Sequence, residues 1–190
     1  MMDEAADTPT AILAAAAELL RQTPFDDITY RALGLAVGVS ERTVYRQYPT
    51  RSHLLESLAR WTEEREFPLD PFVTMPQFSA AVRRRFSQFD ASPASAFVCA
   101  RAATVSPTVE SEPGFVTRAI EAMLATEAPT LNGRDLRRLT ATLLAFSSAQ
   151  FWARMRSSFD LDASETADVF DRTVRSAVAG VGPTRLDMRA

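Results

Sequence analysis

Residues Thr29–Arg51, TYRALGLAVGVSERTVYRQYPTR, decide the fold. Their spacing predicts two short helices joined by a tight turn, a proline stop, and the start of a third helix. Thr29 is a good side-chain N-cap, and Ile28 with Leu33 has the spacing of a hydrophobic staple. Gly38 can take the positive φ of a sharp helix end. Ser40 then caps the second helix, and Val39 with Val44 repeats the staple. Pro49 pushes Tyr48 out of helical geometry, so that helix ends near Gln47. Helices this short are not stable alone. A near-perpendicular pair held by a small turn is the helix-turn-helix arrangement, and its second helix is sized for a DNA major groove.

The side chains of the second helix suit that task. Ser40, Glu41, Arg42, Thr43, Tyr45, Arg46 and Gln47 leave Val44 as the single core anchor, where an ordinary surface helix spends more positions on its core. Arg42, Thr43 and Gln47 are assigned to base edges, since Arg suits guanine and Gln suits adenine. Thr29, Tyr45, Tyr48 and Arg51 are assigned to phosphates, with Arg31 and Arg46 able to serve either role. Tyr48 equally suits a core position with its hydroxyl at the rim. Arg51, in the first turn of the following helix, is misplaced for the helix dipole unless a phosphate lies against it.

Residues 10–60 resemble the DNA-binding domain of the tetracycline-repressor-like (TetR) family of bacterial regulators. The Phe25–Ile28–Thr29 lead-in, the Gly38-Val39-Ser40 turn, and the ordered set Thr43, Tyr45, Arg46, Tyr48, Pro49 and Arg51 carry the resemblance. Gly34 departs from it, standing where the family usually has Ala. So do Gln47 for a frequent His, Tyr48 for Phe and Arg51 for Lys.

Working outward, Thr8-Pro9 marks the start of a first helix to about Gln22, with a stripe of Ile12, Leu13, Ala16, Leu19 and Leu20 to brace the pair. Met1–Asp7 reads as a frayed acidic tail. A fourth helix after Thr50 carries Leu54, Leu55, Leu58 and Trp61, and three prolines in 67–76 read as a linker. A fifth helix, from about Pro76 to Phe89, buries Phe78, Val82, Phe86 and Phe89 and turns Arg83, Arg84 and Arg85 to solvent. Ser92-Pro93 opens a sixth, and Pro113–Thr126 forms a seventh with Phe115, Ile120 and Met123 on its apolar side. The eighth runs unbroken from about Asn132 to Ser158 and is apolar over most of its circumference, as a helix buried on two sides should be. The ninth starts at a capping arrangement, Asp162 to Glu165, carries Ala167, Phe170, Val174, Ala177 and Val178, and ends at Gly180 before a loose tail. The expectation is an all-α chain of about nine helices: an N-terminal three-helix helix-turn-helix domain (1–49) and a C-terminal helical ligand-binding and dimerisation domain (50–190).

Composition agrees. The chain has 190 residues and 46% hydrophobic content, enough for one large or two small cores. Its net charge is −3, yet from Thr29 to Arg60 only Glu41 and Glu56 oppose Arg31, Arg42, Arg46, Arg51 and Arg60, so the basic character is local. All cations other than His53 are arginines. No stretch is long and apolar enough for a membrane span, and lone Cys99 suits a reducing cytoplasm. With one His and one Cys, no catalytic constellation, metal site or cofactor motif is expected, and an enzyme is not.

The family resemblance implies that the last two helices (about 132–158 and 162–180) pair with their copies in a homodimer, so that two recognition helices read a palindromic double-stranded DNA operator. It also implies a pocket between the fourth and eighth helices for a small hydrophobic effector. Trp61, Phe86, Phe89, Phe97 and Phe146 are its candidate walls, and Arg101, Ser147 and Gln150 its orienting polar groups. The implied activity is a repressor released by that effector; a transcriptional activator or an architectural DNA-binding protein without an effector is the alternative.

Overall fold

The computed structural model describes residues 4–105 and 114–181, and of residues 4–7, 105 and 181 the backbone alone. Of the frayed acidic tail expected at Met1–Asp7, residues 4–7 are helical instead, and residues 1–3, the start of the seventh helix at Pro113 and the tail beyond 181 lie outside the described residues. Every regular element among the described residues is helical: α1 (Glu4–Leu19), α2 (Tyr30–Val37), α3 (Glu41–Gln47), α4 (Arg51–Arg65), α5 (Met75–Ala91), α6 (Pro93–Val105), α7 (Phe115–Glu127), α8 (Gly133–Phe146), α9 (Ala149–Phe159) and α10 (Ala163–Val181), with a 3₁₀ turn at Phe25–Asp27. The all-α expectation holds. The chain forms two compact units: Met1–Pro68 with Ser92–Val109, and Leu69–Ala91 with Glu110–Ala190.

In the first unit α1 packs on α2 and α4, α2 on α3, and α4 on α6. Its core is mainly aliphatic, with Ile12, Leu13 and Ala16 from α1 and Leu20 just after it, Leu33 from α2, Val44 from α3, and Leu54, Leu55 and Leu58 from α4, joined by Phe25, Tyr30, Tyr48 and Phe67. Cys99 is buried in α6, its thiol 3.7 Å from the Ala59 carbonyl of α4. Pro9 stands inside α1 rather than opening it, so the helix begins one turn earlier than expected and its ladder loses one N–H donor there.

The second unit has an aromatic core. Phe78, Phe86 and Phe89 of α5 meet Phe170 of α10 and Phe151 and Trp152 of α9, with ring centroids 5.5–6.2 Å apart. Such offset and edge-on pairs add to the burial of the rings themselves. α5 starts within a residue of the expected Pro76, opening on a capping box: the Thr74 hydroxyl accepts from Gln77 N, and Gln77 Oε1 accepts from Thr74 N at 3.2 Å. The expected single long helix over 132–158 is instead two. Ser147 ends α8, and Ser148 adopts extended backbone (φ −83°, ψ 159°) and accepts from Phe151 N, capping α9. A serine hydroxyl offers the chain an alternative to the helical ladder, and here that alternative wins. The Asp162–Glu165 capping box is formed in both directions at 3.0 and 2.9 Å.

Two further expectations are corrected. The arginines of 83–85 are not simply turned to solvent. Arg83 pairs with Asp171 at 2.7 Å and with Asp168 at 3.1 Å, and its guanidinium is held above its usual pKa by those hydrogen bonds. Arg84 pairs with Asp70 at 2.7 Å, and Arg85 lies over the Phe89 ring. Phe115, expected on the apolar side of α7, is 74% exposed, while Ile120 and Met123 are buried.

Candidate nucleic-acid interface

The α2–α3 pair is set by local chemistry. Thr29 Oγ1 accepts from Ala32 N, and Gly38 ends α2 at φ 76°, a left-handed conformation that glycine takes without penalty. Ser40 Oγ accepts from Thr43 N at 3.1 Å and shares a hydrogen bond with the Thr43 hydroxyl. Val44 is fully buried and fixes α3 on the domain. Gly34 decides how closely the helices cross: a Cβ there would lie 2.7 Å from the Val39 carbonyl oxygen and 3.3 Å from Glu41 N. Gly34, one of the residues that depart from the resemblance, therefore lets the turn backbone close onto α2.

With Val44 inward, α3 turns Glu41, Arg42, Tyr45 and Arg46 outward, all exposed, with Thr43 and Gln47 half-buried at its flanks. Arg31 and Thr29 on α2 and its cap are exposed as well. Among the described residues, Arg31, Arg42 and Arg46 form no ion pair, whereas Arg60 pairs with Glu56. Guanidinium groups without protein partners beside exposed hydroxyls and an amide are able to meet phosphates and base edges. Thr29, Glu41, Tyr45, Thr50 and Arg51 surround a concavity of about 500 Å³ at the side of the pair.

Two residues assigned outward belong to the scaffold. Tyr48 is buried, its hydroxyl donates to the Pro9 carbonyl at 3.0 Å, and burial pushes its phenol up to about 12. It is a core residue, and its phosphate assignment is withdrawn. Arg51 reaches back rather than out: Nη1 donates to the Ile28 carbonyl at 2.6 Å, Nη2 to the Phe25 carbonyl, and the guanidinium lies 4.2 Å from the centre of the Phe25 ring. The dipole misfit expected for Arg51 is thus resolved within the protein, by carbonyls of the Phe25–Asp27 turn. Those donors are committed, so Arg51 positions the turn that leads into α2.

Sequence reasoning missed Tyr30. Buried at the first position of α2, it donates to the Tyr48 carbonyl at 2.8 Å and packs edge-on against Tyr45 at 4.4 Å, joining the end of α3 to the start of α2. Burial raises its phenol, with Arg51 partly opposing. Only the alternation of tyrosines at 30, 45 and 48 hinted at such a cluster.

The eight residues chosen for an effector pocket fall in both units. Phe86 and Phe89 are fully buried and occupied by aromatic neighbours, so they are core and not walls. Phe146 sits 5.0 Å from Phe151 at the end of α8, Ser147 is buried with its hydroxyl on the Leu144 carbonyl, and Gln150 is half-buried at the start of α9. In the first unit Trp61 is half-buried with Arg65 over its ring. Phe97 and Arg101 line a cavity of about 440 Å³ against the Phe25–Asp27 turn. No group of His, Cys, Asp and Glu among the described residues is placed to hold a metal ion, and no described helix is long and apolar enough to cross a membrane.

A family model for bacterial regulatory proteins of the tetR family matches residues 12–58. Two nucleoid occlusion factors named SlmA are similar over part of the chain. That of Marinomonas sp. is 39% identical over 67 residues, 35% of this chain and 34% of that protein. That of Marinobacter nauticus is 34% identical over 73 residues, 38% and 37% respectively. The similarity thus spans about a third of the length of these relatives. Among solved structures, NalD, the secondary repressor of the MexAB-OprM multidrug efflux pump in Pseudomonas aeruginosa, matches 95% of this chain and 98% of its own, with a TM-score of 0.52 and 17% identity. That likeness is one of fold. Residues 12–58, with a helix-turn-helix capped by Thr29 and Ser40, are thus TetR-like, similar to the tetR family of bacterial regulatory proteins, on an all-α chain that shares its fold with NalD.

Proposed function

We propose that the chain is a ligand-responsive, sequence-specific transcriptional regulator: a repressor that leaves a palindromic operator when a small, mostly apolar molecule binds. The observation that carries the reading is the outer face of α3, where Arg42, Tyr45 and Arg46 are exposed around a single buried anchor, Val44. Arg42, Thr43 and Gln47 read base edges. Thr29, Ser40 and Tyr45 meet phosphates, with Arg31 and Arg46 serving either.

One helix of seven residues offers few contacts. Two, about 34–36 Å apart in a twofold dimer, read both halves of a palindrome. The segments 132–158 and 162–180 form the dimer. The stripe Ala167, Phe170 and Val174 is already buried within its own unit, so pairing uses the outward apolar residues Leu144 and Val178, which are 38% and 39% exposed. Effector and operator weaken each other reciprocally, because each favours a different arrangement of the recognition helices.

A second reading is favoured by the relatives named as nucleoid occlusion factors: DNA binding without an effector. Competition binding separates the two. The regulator prefers one palindrome over bulk DNA by about a thousandfold or more and sediments as a dimer on it. Equal affinity for all duplexes, or a monomer on its target, defeats the regulator reading.

A further inference from the structure

We infer that the cavity between the end of α1, the Phe25–Asp27 turn and α6 is the seat of a small amphiphilic acid, its apolar chain lying against Phe25 and Phe97 and its carboxylate on Arg101. The inference deepens the regulator reading by naming an effector class and its site, and rests on that reading only for its consequence at DNA.

At about 440 Å³ the cavity falls in the range of small-molecule clefts, about 300–1,000 Å³. Leu20, Pro24, Phe25, Ala94, Phe97 and Val98 make it mostly apolar. Phe97 is 40% exposed on it, although α6 is otherwise well buried over Val98, Cys99 and Ala102. A large aromatic left half in water beside a concave apolar surface is the kind of wall that a ligand covers.

Charge decides the head group. The cavity holds one cation, Arg101, and one anion, Asp26. Both Asp26 oxygens accept from Arg101 Nη1 alone, at 2.9 and 2.8 Å. Guanidinium has five N–H donors in a planar fork. Among the described residues, Nε and Nη2 of Arg101 have no acceptor, and the side chain is half exposed. A carboxylate can therefore take the remaining donor edge without breaking the bridge, whereas a cation would compete with Arg101 for an Asp26 already doubly bonded. The Arg101 hydrogen bond also holds the Asp26 carboxyl below its usual range, keeping that anion in place.

The site touches the recognition helices through one residue. The Phe25 ring meets two guanidinium groups, that of Arg51 4.2 Å from its centre and that of Arg101 5.9 Å away. Arg51 holds the Phe25 and Ile28 carbonyls just before the Thr29 cap. A ligand wedged against Phe25 presses on the turn that sets the start of α2.

The test is calorimetric titration of the full chain with decanoate, decanol and decyltrimethylammonium, each below its micellar concentration. Decanoate is expected to bind saturably and about tenfold or more tighter than decanol, as charge-assisted hydrogen bonds require. Arg101→Gln should remove that preference and leave decanol unchanged, and Ala94→Trp, which fills the cavity from an exposed position, should abolish binding of both. Circular dichroism of each variant checks the fold. Absence of decanoate binding, preference for the ammonium amphiphile, or decanoate binding unaltered by both substitutions overturns the inference. No readout here needs DNA, so operator binding without decanoate binding defeats the pocket alone, and the converse defeats the regulator reading alone.

Discussion

Two serine-capped junctions in this molecule look alike in sequence and do opposite things. Between α2 and α3, Gly38 turns the chain at φ 76° and Ser40 caps the next helix. Between α8 and α9, Ser147 (φ −93°, ψ 2°) and Ser148 make the break without any left-handed residue. The side chains downstream of each cap decide its use. After Ser40, ERTVYRQ buries Val44 and displays the remainder. After Ser148, AQFWARMRSSF buries Ala149, Trp152 and Ala153, and the Trp152 indole donates to Asp90 at 2.8 Å. The other Asp90 oxygen accepts from Ala163 N at 2.7 Å, so a single carboxylate ties α5 to both α9 and α10. One junction is a display mount and the other an anchor.

If that contrast is sound, substitutions should separate the two. Trp152→Ala should have the largest effect, costing about 3–5 kcal/mol because it empties a fully buried site and strips Asp90 of a donor. Thermal or urea unfolding measures it, and a loss below about 1 kcal/mol would remove the anchor. Next comes Gly34→Ala. The added methyl meets a backbone oxygen at 2.7 Å and must part α2 from α3, at about 1–3 kcal/mol of stability. An alanine tolerated at no cost would mean that the junction has slack to spare. Ser40→Ala and Ser148→Ala should each cost about 1 kcal/mol as lost caps. The first should also weaken DNA binding, since it frees the start of α3.

The smallest effect is nil at neutral pH and appears in alkali. The Tyr48 phenol is raised by burial to about 12, so above the ordinary tyrosine value the unfolded chain loses protons that the folded chain keeps. Its contribution is complete below about pH 10 and is lost as pH rises toward 12. Stability measured from about pH 9 upward should fall, and Tyr48→Phe should flatten that fall. Equal slopes in both proteins would show that the hydroxyl is not buried.

Much of this architecture was legible because it is written in local bonds. Thr29, Ser40, Gly38 and the Asp162–Glu165 pair act within four residues of themselves, so spacing alone reveals them. The α8–α9 break was not legible, since the apolar periodicity of Leu139, Leu143, Phe146 and Phe151 runs across Ser147-Ser148 as if the helix continued. The inward turn of Arg51 and the pairing of Arg101 with Asp26 are not legible for the same physical reason: their partners, the Phe25 and Ile28 carbonyls and Asp26, lie 23 to 75 residues away in sequence. Phe86 and Phe89 look like pocket walls in the sequence because aromatic content alone cannot tell a lined cavity from a filled core. The exposed set on α3 was readable once Val44 was recognised as its one inward residue.

Base reading by that exposed face is the central claim, and selection of bound duplexes from a random library tests it most directly, run in parallel on the native protein and Arg42→Ala. The native chain should enrich a palindromic sequence. The variant should retain that sequence except for one relaxed base pair in each half, at a cost of about 1–3 kcal/mol per contact. No enriched sequence from the native protein, or an unchanged motif with the variant, would contradict it.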